Sequence, residues 1–289
     1  MRKKYFAILW PFILLGMLLQ ACGPVQDIPT AFLPSPVTAT HTPVPAPTAM
    51  ETKILMKCED ETLINLGEYR AENNTWGKGD LSGWSQCIGI GTGADGSLVG
   101  RWNWDWLNSD GNVKGYPEII FGQKPGMTTT TKALPIKVND LDLATVSYDV
   151  SSVYTGSGNV AFDIWLTDTM NPTTFSVPPI THEIMIWLDR QGEMVPGGNF
   201  KERVSLNGIT YAVLVSDNWG DGWRYIAFVS AESRLGAGTL DLGSFFSYLL
   251  ESGLVTGDAY LASIEFGNEV ATGTGETSIH GYSITIKKK

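Results

Sequence analysis

Two stretches of alternating residues each carry an acidic side chain where an apolar strand is otherwise indicated. One places Glu183, Met185 and Trp187 on a single strand face, and the other does the same for Asp163 and Trp165. Charged residues in such strands are seldom buried without a partner. Strands of like design are expected to be neighbours, which would gather carboxyl groups suited to general acid and base chemistry. The pattern alone also fits exposed strand faces with incidental acidic residues.

A third carboxylate, Glu269, stands near the C-terminus after Phe-Gly-Asn, where a strand runs into glycine-rich turn residues. By itself this is a weak indication of function, since a glutamate beside a turn is usually solvated. Its interest depends on whether the fold brings it to the other two carboxylates.

The elements that must position these residues are mostly strands. Short runs with a period of two, punctuated by Gly, Asn and Asp, recur at 144–150, 159–166, 183–188 and 209–215. One segment instead shows helical spacing, with Asp241 as N-cap and Gly253 after its end. Many strands, one short helix and no βαβ alternation predict an all-β jelly-roll sandwich of two curved antiparallel sheets, with a concave cleft. The apolar residues of the helix are Leu242, Phe245, Phe246, Leu249 and Leu250.

The sequence Glu-Ile-Met-Ile-Trp-Leu at 183–188, followed by Pro196 and Gly197, resembles the nucleophile strand of glycoside hydrolase family 12. The run Phe-Gly-Asn-Glu at 266–269 is similar to the acid/base region of that family, which is commonly Gly-Thr-Glu-Pro. Here Asn268 stands at the usual Thr and Val follows the glutamate in place of Pro. The resemblance extends over most of the chain beyond the N-terminal segment.

The resemblance implies an endo-acting, retaining β-1,4-glucanase, a cellulase, in which Glu183 is the nucleophile, Glu269 the general acid/base and Asp163 the carboxylate beside the nucleophile. Retaining glycosidases use two carboxyl groups about 5 to 5.5 Å apart, one ionised and one protonated. Trp187 is assigned to the cleft by strand alternation alone. Trp76 is expected to be a platform for a sugar ring, with core packing as the alternative. The residues that the resemblance assigns to the sugar cleft are Asn74, Trp76, Asn159, Met185 and Pro196.

Several other functions remain open at this stage. A family 11 xylanase shares the architecture, but the Glu-Ile-Met-Ile-Trp-Leu strand argues against it. Within family 12 the substrate could be cellulose, mixed-linkage β-glucan or xyloglucan. A non-catalytic polysaccharide-binding lipoprotein is the alternative from another class, which the presence of both glutamates disfavours.

The amino-acid composition limits the classes of ligand and partner that the protein can bind. The formal charge of −10 gives no basic footprint for nucleic acid. The ten Trp and ten Tyr among 289 residues suit flat sugar-binding surfaces. Three scattered His show no spacing typical of metal ligands, so neither a metal nor another cofactor is expected. A β-glucan substrate and a monomeric protein are predicted.

The N-terminus predicts export. Residues 1–21 combine a basic start with an apolar stretch, as in a signal peptide. Leu19-Gln20-Ala21-Cys22 resembles the lipobox of bacterial lipoproteins, which predicts a lipidated Cys22 that anchors the protein on the outer side of the cell membrane. Residues 22–50 are rich in Pro and Thr and predict a linker, and 51–289 form the predicted catalytic domain.

The chain has three cysteines. If Cys22 carries lipid, Cys58 and Cys87 are left to pair in an oxidising compartment. A disulfide between them is therefore expected.

Overall fold

The computed structural model describes residues 54–107 and 109–289. The predicted signal peptide, the lipidated Cys22 and the linker 22–50 lie outside the described residues. Among those that are described, no helix is both long and apolar enough to cross a bilayer.

Strands dominate the described residues, with a single α-helix and one short 3-10 turn at Val138–Asp140. In chain order the elements are β1 (Leu63–Leu66), β2 (Tyr69–Asn74), β3 (Ser85–Thr92), β4 (Leu98–Trp106), β5 (Tyr116–Gly122), β6 (Ile136–Lys137), β7 (Leu141–Tyr154), β8 (Ser157–Thr167), β9 (Ile180–Gln191), β10 (Asn199–Leu206), β11 (Ile209–Trp219), β12 (Trp223–Ser230), β13 (Gly236–Asp241), α1 (Leu242–Glu251), β14 (Tyr260–Gly267) and β15 (Val270–Lys288).

The strands form two sheets, as predicted. The large sheet has the order β1-β2-β5-β14-β8-β9-β12-β11-β10, with β6 also paired to β14. The small sheet has the order β3-β4-β15-β7-β13. The first residues of β15 also pair with β8, so this strand joins the two sheets.

The hydrophobic core lies between the sheets. Alternation in β8 and β9 sends Phe162, Ile164 and Ile186 into this core, where they meet Trp102 and Val146 of the small sheet. All five are essentially inaccessible to solvent. Burying one such side chain contributes about 1.5–3 kcal/mol. The same alternation leaves the intervening residues of β8 and β9 on the opposite side of the large sheet, which we call the cleft face.

One strand pair departs from the predicted antiparallel arrangement, because β9 and β12 are parallel. The register explains this arrangement. Across the sheet, the start of β10 lies level with Ile184 near the start of β9, through the successive pairs Asn199–Val215, Val215–Ile226 and Ile226–Ile184. The chain leaves β9 only at Gln191, so residues 192–198 must run back along the sheet before β10 begins. The two following hairpins then return β12 beside β9 in the same direction.

The helix α1 agrees with its prediction. The Asp241 carboxylate accepts a hydrogen bond from the Gly243 backbone N–H at 3.0 Å, as an N-cap does. Phe245 packs edge-on against Tyr211 and Phe228 of the large sheet, with ring centroids 5.2 and 5.0 Å apart. The helix therefore closes one end of the core rather than lining the cleft face.

The predicted disulfide between Cys58 and Cys87 is present and ties the N-terminal described segment to β3. The two cysteines are 29 residues apart. Closing a loop of this length stabilises a fold by about 3 to 4 kcal/mol in the chain-entropy model.

Candidate active site

The two acidic strands are neighbours, as their sequences predicted. β8 pairs with β9 so that Asp163 lies opposite Met185 and Trp165 lies opposite Glu183. Since directly opposed residues share a face, both carboxylates project from the cleft face. Each is largely buried, with 7% of Asp163 and 9% of Glu183 exposed.

Glu183 is held by one neutral donor. The indole N–H of Trp223 donates to Oε2 of Glu183 at 2.7 Å. Burial raises the pKa of Glu183 to about 8, with the Trp223 hydrogen bond lowering it in part and the charge of Glu269 raising it further. The last effect shows that Glu183 and Glu269 face a common space.

Glu269 lies in the turn between β14 and β15 and is half-buried. Its backbone N–H donates to Oδ1 of Asn159 at 3.0 Å, and the Asn159 amide donates in return to Oε2 of Glu269. Burial raises the pKa of Glu269 to about 7, against the lowering effect of the Asn159 hydrogen bond. A carboxyl group with this pKa can hold a proton at neutral pH and release it to a substrate.

Asp163 is the third carboxyl group of the site and lies diagonal to Glu183 on the neighbouring strand. Burial raises its pKa well above the ordinary value, and the charges of Glu183 and Glu265 raise it further. Its Oδ1 is buried and has no hydrogen-bond partner among the described residues. The raised pKa favours the protonated form of Asp163.

Among the residues assigned to sugar binding, Trp76 is exposed, whereas Asn74 and Asn159 are buried and hydrogen-bonded to other residues of the protein. Trp76 is 65% exposed, so packing in the core is excluded and its ring is available as a platform. Asn74 is buried; its amide donates to Glu118 at 3.0 Å and its carbonyl accepts from the Trp76 backbone N–H at 3.2 Å. Asn159 is fully buried against Glu269. Both asparagines thus hold other site residues in place.

Met185, Trp187 and Pro196 are all buried. Met185 and Trp187 belong to an apolar cluster on the cleft face that also contains Met194 from the segment 192–198. The Tyr225 hydroxyl donates to the Met185 sulfur at 3.3 Å. Strand alternation placed Trp187 on the cleft face, where the structure also has it, but its side chain is buried within this apolar cluster.

A second group of buried carboxylates on the same face was not singled out from the sequence. Lys124 forms ion pairs with Glu72 at 2.7 Å and Glu118 at 2.6 Å. Glu265, in β14, is opposite Asp163 and adjoins this group. Glu118 and Glu265 each interrupt an apolar strand, in Tyr-Pro-Glu-Ile-Ile-Phe-Gly and Leu-Ala-Ser-Ile-Glu-Phe-Gly. The signal that pointed to Asp163 and Glu183 was therefore present there too.

Trp223 and Trp219 were also missed. They flank the hairpin turn Trp-Gly-Asp-Gly-Trp between β11 and β12 and lie opposite each other in register. Trp219 is 39% exposed and stacks on Tyr225 at 4.9 Å, over Gly197. The Gly-Asp-Gly turn is a local hairpin signal, but the contact of Trp223 with Glu183 depends on the parallel pairing of β12 with β9 and has no local signal.

The site as a whole offers acid, base and nucleophile from carboxyl groups alone. Burial raises the pKa of Tyr225 well above its ordinary value, and the charges of Glu269, Glu183 and Asp163 raise it further, so all three carboxyl groups lie within electrostatic range of this hydroxyl. Among the described residues no group of three or more His, Cys, Asp or Glu side chains has an arrangement that could hold a metal ion. Two neighbouring carboxyl groups, each with its own hydrogen-bond donor, fit the nucleophile and acid/base roles of a glycoside hydrolase.

Comparison with known proteins agrees with this chemistry. The sequence profile described as glycosyl hydrolase family 12 matches residues 67–287. Endoglucanase S of Pectobacterium parmentieri is 30% identical over 234 residues, which are 79% of this chain and 85% of that protein. Xyloglucan-specific endo-beta-1,4-glucanase A of Aspergillus niger is 27% identical over 80% of this chain and 90% of its own length.

A solved structure gives the same result for the fold. Endoglucanase cel12A from Rhodothermus marinus superposes with a TM-score of 0.70 at 30% identity, covering 81% of this chain and all of that one. One relative of similar coverage, 25% identical, is described as the inactive glycoside hydrolase XLP1 of Phytophthora nicotianae. Relatives thus include endoglucanases, xyloglucanases and one protein described as inactive.

Proposed function

The chain belongs to glycosyl hydrolase family 12, and on this premise we propose that it is an endo-acting, retaining β-1,4-glucanase that uses Glu183 and Glu269. The observation that carries the proposal is that these two carboxyl groups and Asp163 lie close enough to affect one another electrostatically, with Asp163 and Glu183 on neighbouring strands of the cleft face. Each glutamate has its own hydrogen-bond partner, Trp223 for Glu183 and Asn159 for Glu269. Two separately tuned carboxyl groups are what double displacement requires.

In the first step Glu183 reacts as the ionised nucleophile, because a protonated Glu269 no longer opposes its charge and the Trp223 N–H favours it. One of its oxygens attacks the anomeric carbon, the bond to the leaving oxygen breaks, and Glu269 gives its proton to that oxygen. The raised pKa of Glu269, about 7, keeps this proton in place up to neutral pH. The products of the step are a glycosyl ester on Glu183 and a shortened glucan with a free hydroxyl group.

In the second step Glu269, now ionised, takes a proton from water, and the water oxygen attacks the anomeric carbon from the opposite face. The ester bond breaks and its electrons return to Glu183. Two inversions leave the product with the β configuration of the substrate.

Asp163 supports this cycle by remaining protonated. Its raised pKa lets it offer a hydrogen bond to Glu183 while Glu183 carries negative charge, which two adjacent ionised carboxylates could not do. Its proton need not leave the site during turnover.

The substrate proposal is a chain of β-1,4-linked glucose. The exposed indole of Trp76 offers a flat apolar surface to one sugar ring. Asn74 holds Trp76 in place by accepting a hydrogen bond from its backbone N–H. Xyloglucan is the second candidate, because several relatives are described as xyloglucan-specific. Unsubstituted and branched glucans differ in the room that they need around each glucose.

A product comparison tests the proposal. The purified full-length protein is incubated with carboxymethyl-cellulose, barley β-glucan, xyloglucan and xylan, and reducing ends and product lengths are followed. We expect rapid release of mixed oligosaccharides from carboxymethyl-cellulose and none from xylan. A rate on xyloglucan far above that on carboxymethyl-cellulose would replace the cellulase assignment with a xyloglucanase. Absence of release from every glucan, with tight polysaccharide binding retained, would show a binding protein.

The cellular place of the protein is a proposal from sequence alone. The lipobox-like Leu19-Gln20-Ala21-Cys22 supports an exported lipoprotein, and the Pro/Thr-rich 22–50 supports a tether that extends up to about 3.1 Å per residue. The catalytic domain would then work at the outer face of the membrane. Labelling with radioactive palmitate, compared between the natural chain and Cys22→Ser, tests the anchor.

A further inference from the structure

The hydrogen bond from Trp223 to Glu183 gives the two oxygens of this carboxylate different surroundings. Oε2 accepts the indole N–H at 2.7 Å, whereas Oε1 has no such donor among the described residues. An indole can only donate through nitrogen, so Oε2 must accept in every state of Glu183. The bond is buried, since Trp223 is 8% and Glu183 is 9% exposed. It is therefore shielded from competition with water.

The position of the Trp223 ring is fixed on several sides. Trp165, which lies opposite Glu183 in the sheet, packs edge-on against it with centroids 5.4 Å apart. Phe175 packs edge-on from the loop before β9 at 5.9 Å. In the hairpin turn, a Cβ on Gly220 would come within 2.2 Å of the ring, and Gly220 has a φ of +51°. Only glycine fits there, so the turn itself is shaped around the indole.

We propose that Trp223 is a positioning residue for the nucleophile: its indole N–H holds Oε2 of Glu183 and presents Oε1 to the anomeric carbon. The inference rests on the proposed function of Glu183 as nucleophile. It assigns a role to the β11–β12 hairpin, which reaches Glu183 only because β12 runs parallel to β9.

The role can be followed through both steps. In the first, a lone pair of Oε1 forms the bond to the anomeric carbon, and Oε2 becomes the carbonyl oxygen of the ester while still accepting from Trp223. In the second, the ester bond breaks and its electron pair returns to the carboxylate, where Trp223 stabilises the charge that develops on Oε2. No proton moves between Trp223 and Glu183 in either step.

The ionisation of Glu183 provides a readout. Three other titratable groups face Glu183: Asp163 from β8, Glu269 from the turn before β15, and Tyr225 from β12. Glu269 opposes ionisation of Glu183 by its charge, whereas burial raises the pKa values of Asp163 and Tyr225 well above their ordinary values and keeps both groups neutral. The Trp223 N–H favours the ionised form, so its loss must move ionisation of Glu183 to higher pH.

Two variants separate the hydrogen bond from the packing. Trp223→Phe keeps an aromatic ring but removes the N–H. Trp223→Gln removes the ring but keeps an N–H donor the same number of bonds from Cβ. Phe175→Leu is the control, since it removes a ring that packs on Trp223 and touches no carboxylate. Each full-length variant is assayed for kcat/KM against pH with an activated aryl β-cellobioside, whose leaving group needs no proton from Glu269.

In the profile of kcat/KM against pH, we expect the acid limb of the Trp223→Phe variant to lie about one pH unit higher than that of the natural chain. On that limb, kcat/KM should fall by about tenfold. Trp223→Gln should restore the limb at least halfway, although its melting temperature falls. Phe175→Leu should keep the natural limb. If Trp223→Phe is folded and its acid limb lies at the same pH as in the natural chain, the proposal is overturned. It is also overturned if the shift of the acid limb correlates with the loss of melting temperature across the three variants. Full activity of Glu183→Ala would instead overturn the proposed function on which it rests.

Discussion

The cleft face carries two groups of buried carboxylates that differ in one respect. Glu72 and Glu118 share the buried cation Lys124, whereas no described lysine or arginine contributes to the pKa of Glu183 or Glu269. Burial alone would lower the pKa of Lys124, but the charges of Glu118, Glu265 and Glu72 outweigh it and hold the pKa above its ordinary value. That group therefore keeps a fixed positive charge.

The difference separates a structural arrangement from a reactive one. Around Lys124, negative charge is balanced by a cation that does not titrate near neutral pH, so the network ties β2 to β5 and the following loop. Around Glu183, no cation of residues 54–107 or 109–289 contributes, so its charge is balanced by protons and neutral donors. Protons can be given away, and a catalytic group needs one that can. Similar residues on one sheet thus take different roles according to their nearest cation.

The largest effect on activity is expected for Glu183, in the carboxylate group that has no cation. Glu183→Ala removes the nucleophile, so turnover should fall by at least about 10⁴-fold. Added azide should enter the vacated space and give an α-glycosyl azide from an activated β-glycoside. The exposed Glu193, in the segment 192–198 after β9, offers a control, and Glu193→Ala should retain natural activity. Activity in Glu183→Ala without azide would assign the nucleophile elsewhere.

Glu269→Ala should have a smaller effect that depends on the leaving group. Loss of the acid should slow hydrolysis of β-glucan by about 10² to 10⁴-fold, while an activated aryl glycoside should still glycosylate Glu183. Azide should then speed release and give the β-glycosyl azide, the opposite anomer from that expected for Glu183→Ala. Mass spectrometry and NMR of the azide products decide it. Equal losses on both substrates would contradict the acid role.

Disruption of the group that has a cation should affect stability more than chemistry. Lys124→Met leaves Glu72 and Glu118 buried without their partner and should lower the free energy of unfolding by about 3–5 kcal/mol at pH 7. Adding Glu72→Gln should recover part of this loss. The control is Lys137→Met, because Lys137 pairs with Asp258 at the exposed surface and should matter little. Denaturant titration measures all three, and an unchanged Lys124→Met would show that the network is not structural.

The smallest effect should appear in the pH dependence of stability. Burial raises the pKa values of Glu72 and Glu269 to about 7, from 4.5 for an unperturbed glutamate. Between these values the folded state binds more protons than the unfolded state, so stability falls as pH rises, by up to about 1.4 kcal/mol per pH unit for each group. Glu72→Gln should reduce this slope. Melting temperatures that rise from pH 5 to pH 7 would contradict the assignment.

The sequence predicted the parts of this site that depend on alternation along a strand. Glu183, Met185 and Trp187 do share the cleft face, and Asp163 does lie beside them, because a two-residue period is fixed by backbone geometry. The helix at 242–251 followed equally from local spacing and its Asp241 cap.

What the sequence could not predict depends on contacts between distant elements. Lys124 and Glu72 are 52 residues apart, and Trp223 and Glu183 are 40 apart. The second contact exists only because residues 192–198 run back along the sheet and make β12 parallel to β9. No local pattern encodes that path, so the donor that holds Glu183 became visible only in the structure.

The central claim is that Glu183 forms a covalent bond to the sugar while Glu269 supplies and recovers a proton. Proton NMR of the sugar anomer first formed from a soluble cello-oligosaccharide, recorded before mutarotation, tests it most directly. Because two displacements occur at the anomeric carbon, the account predicts that the β-anomer appears first and the α-anomer only as mutarotation proceeds. An initial α-anomer would mean a single displacement by water and would contradict the assignment of Glu183 as nucleophile.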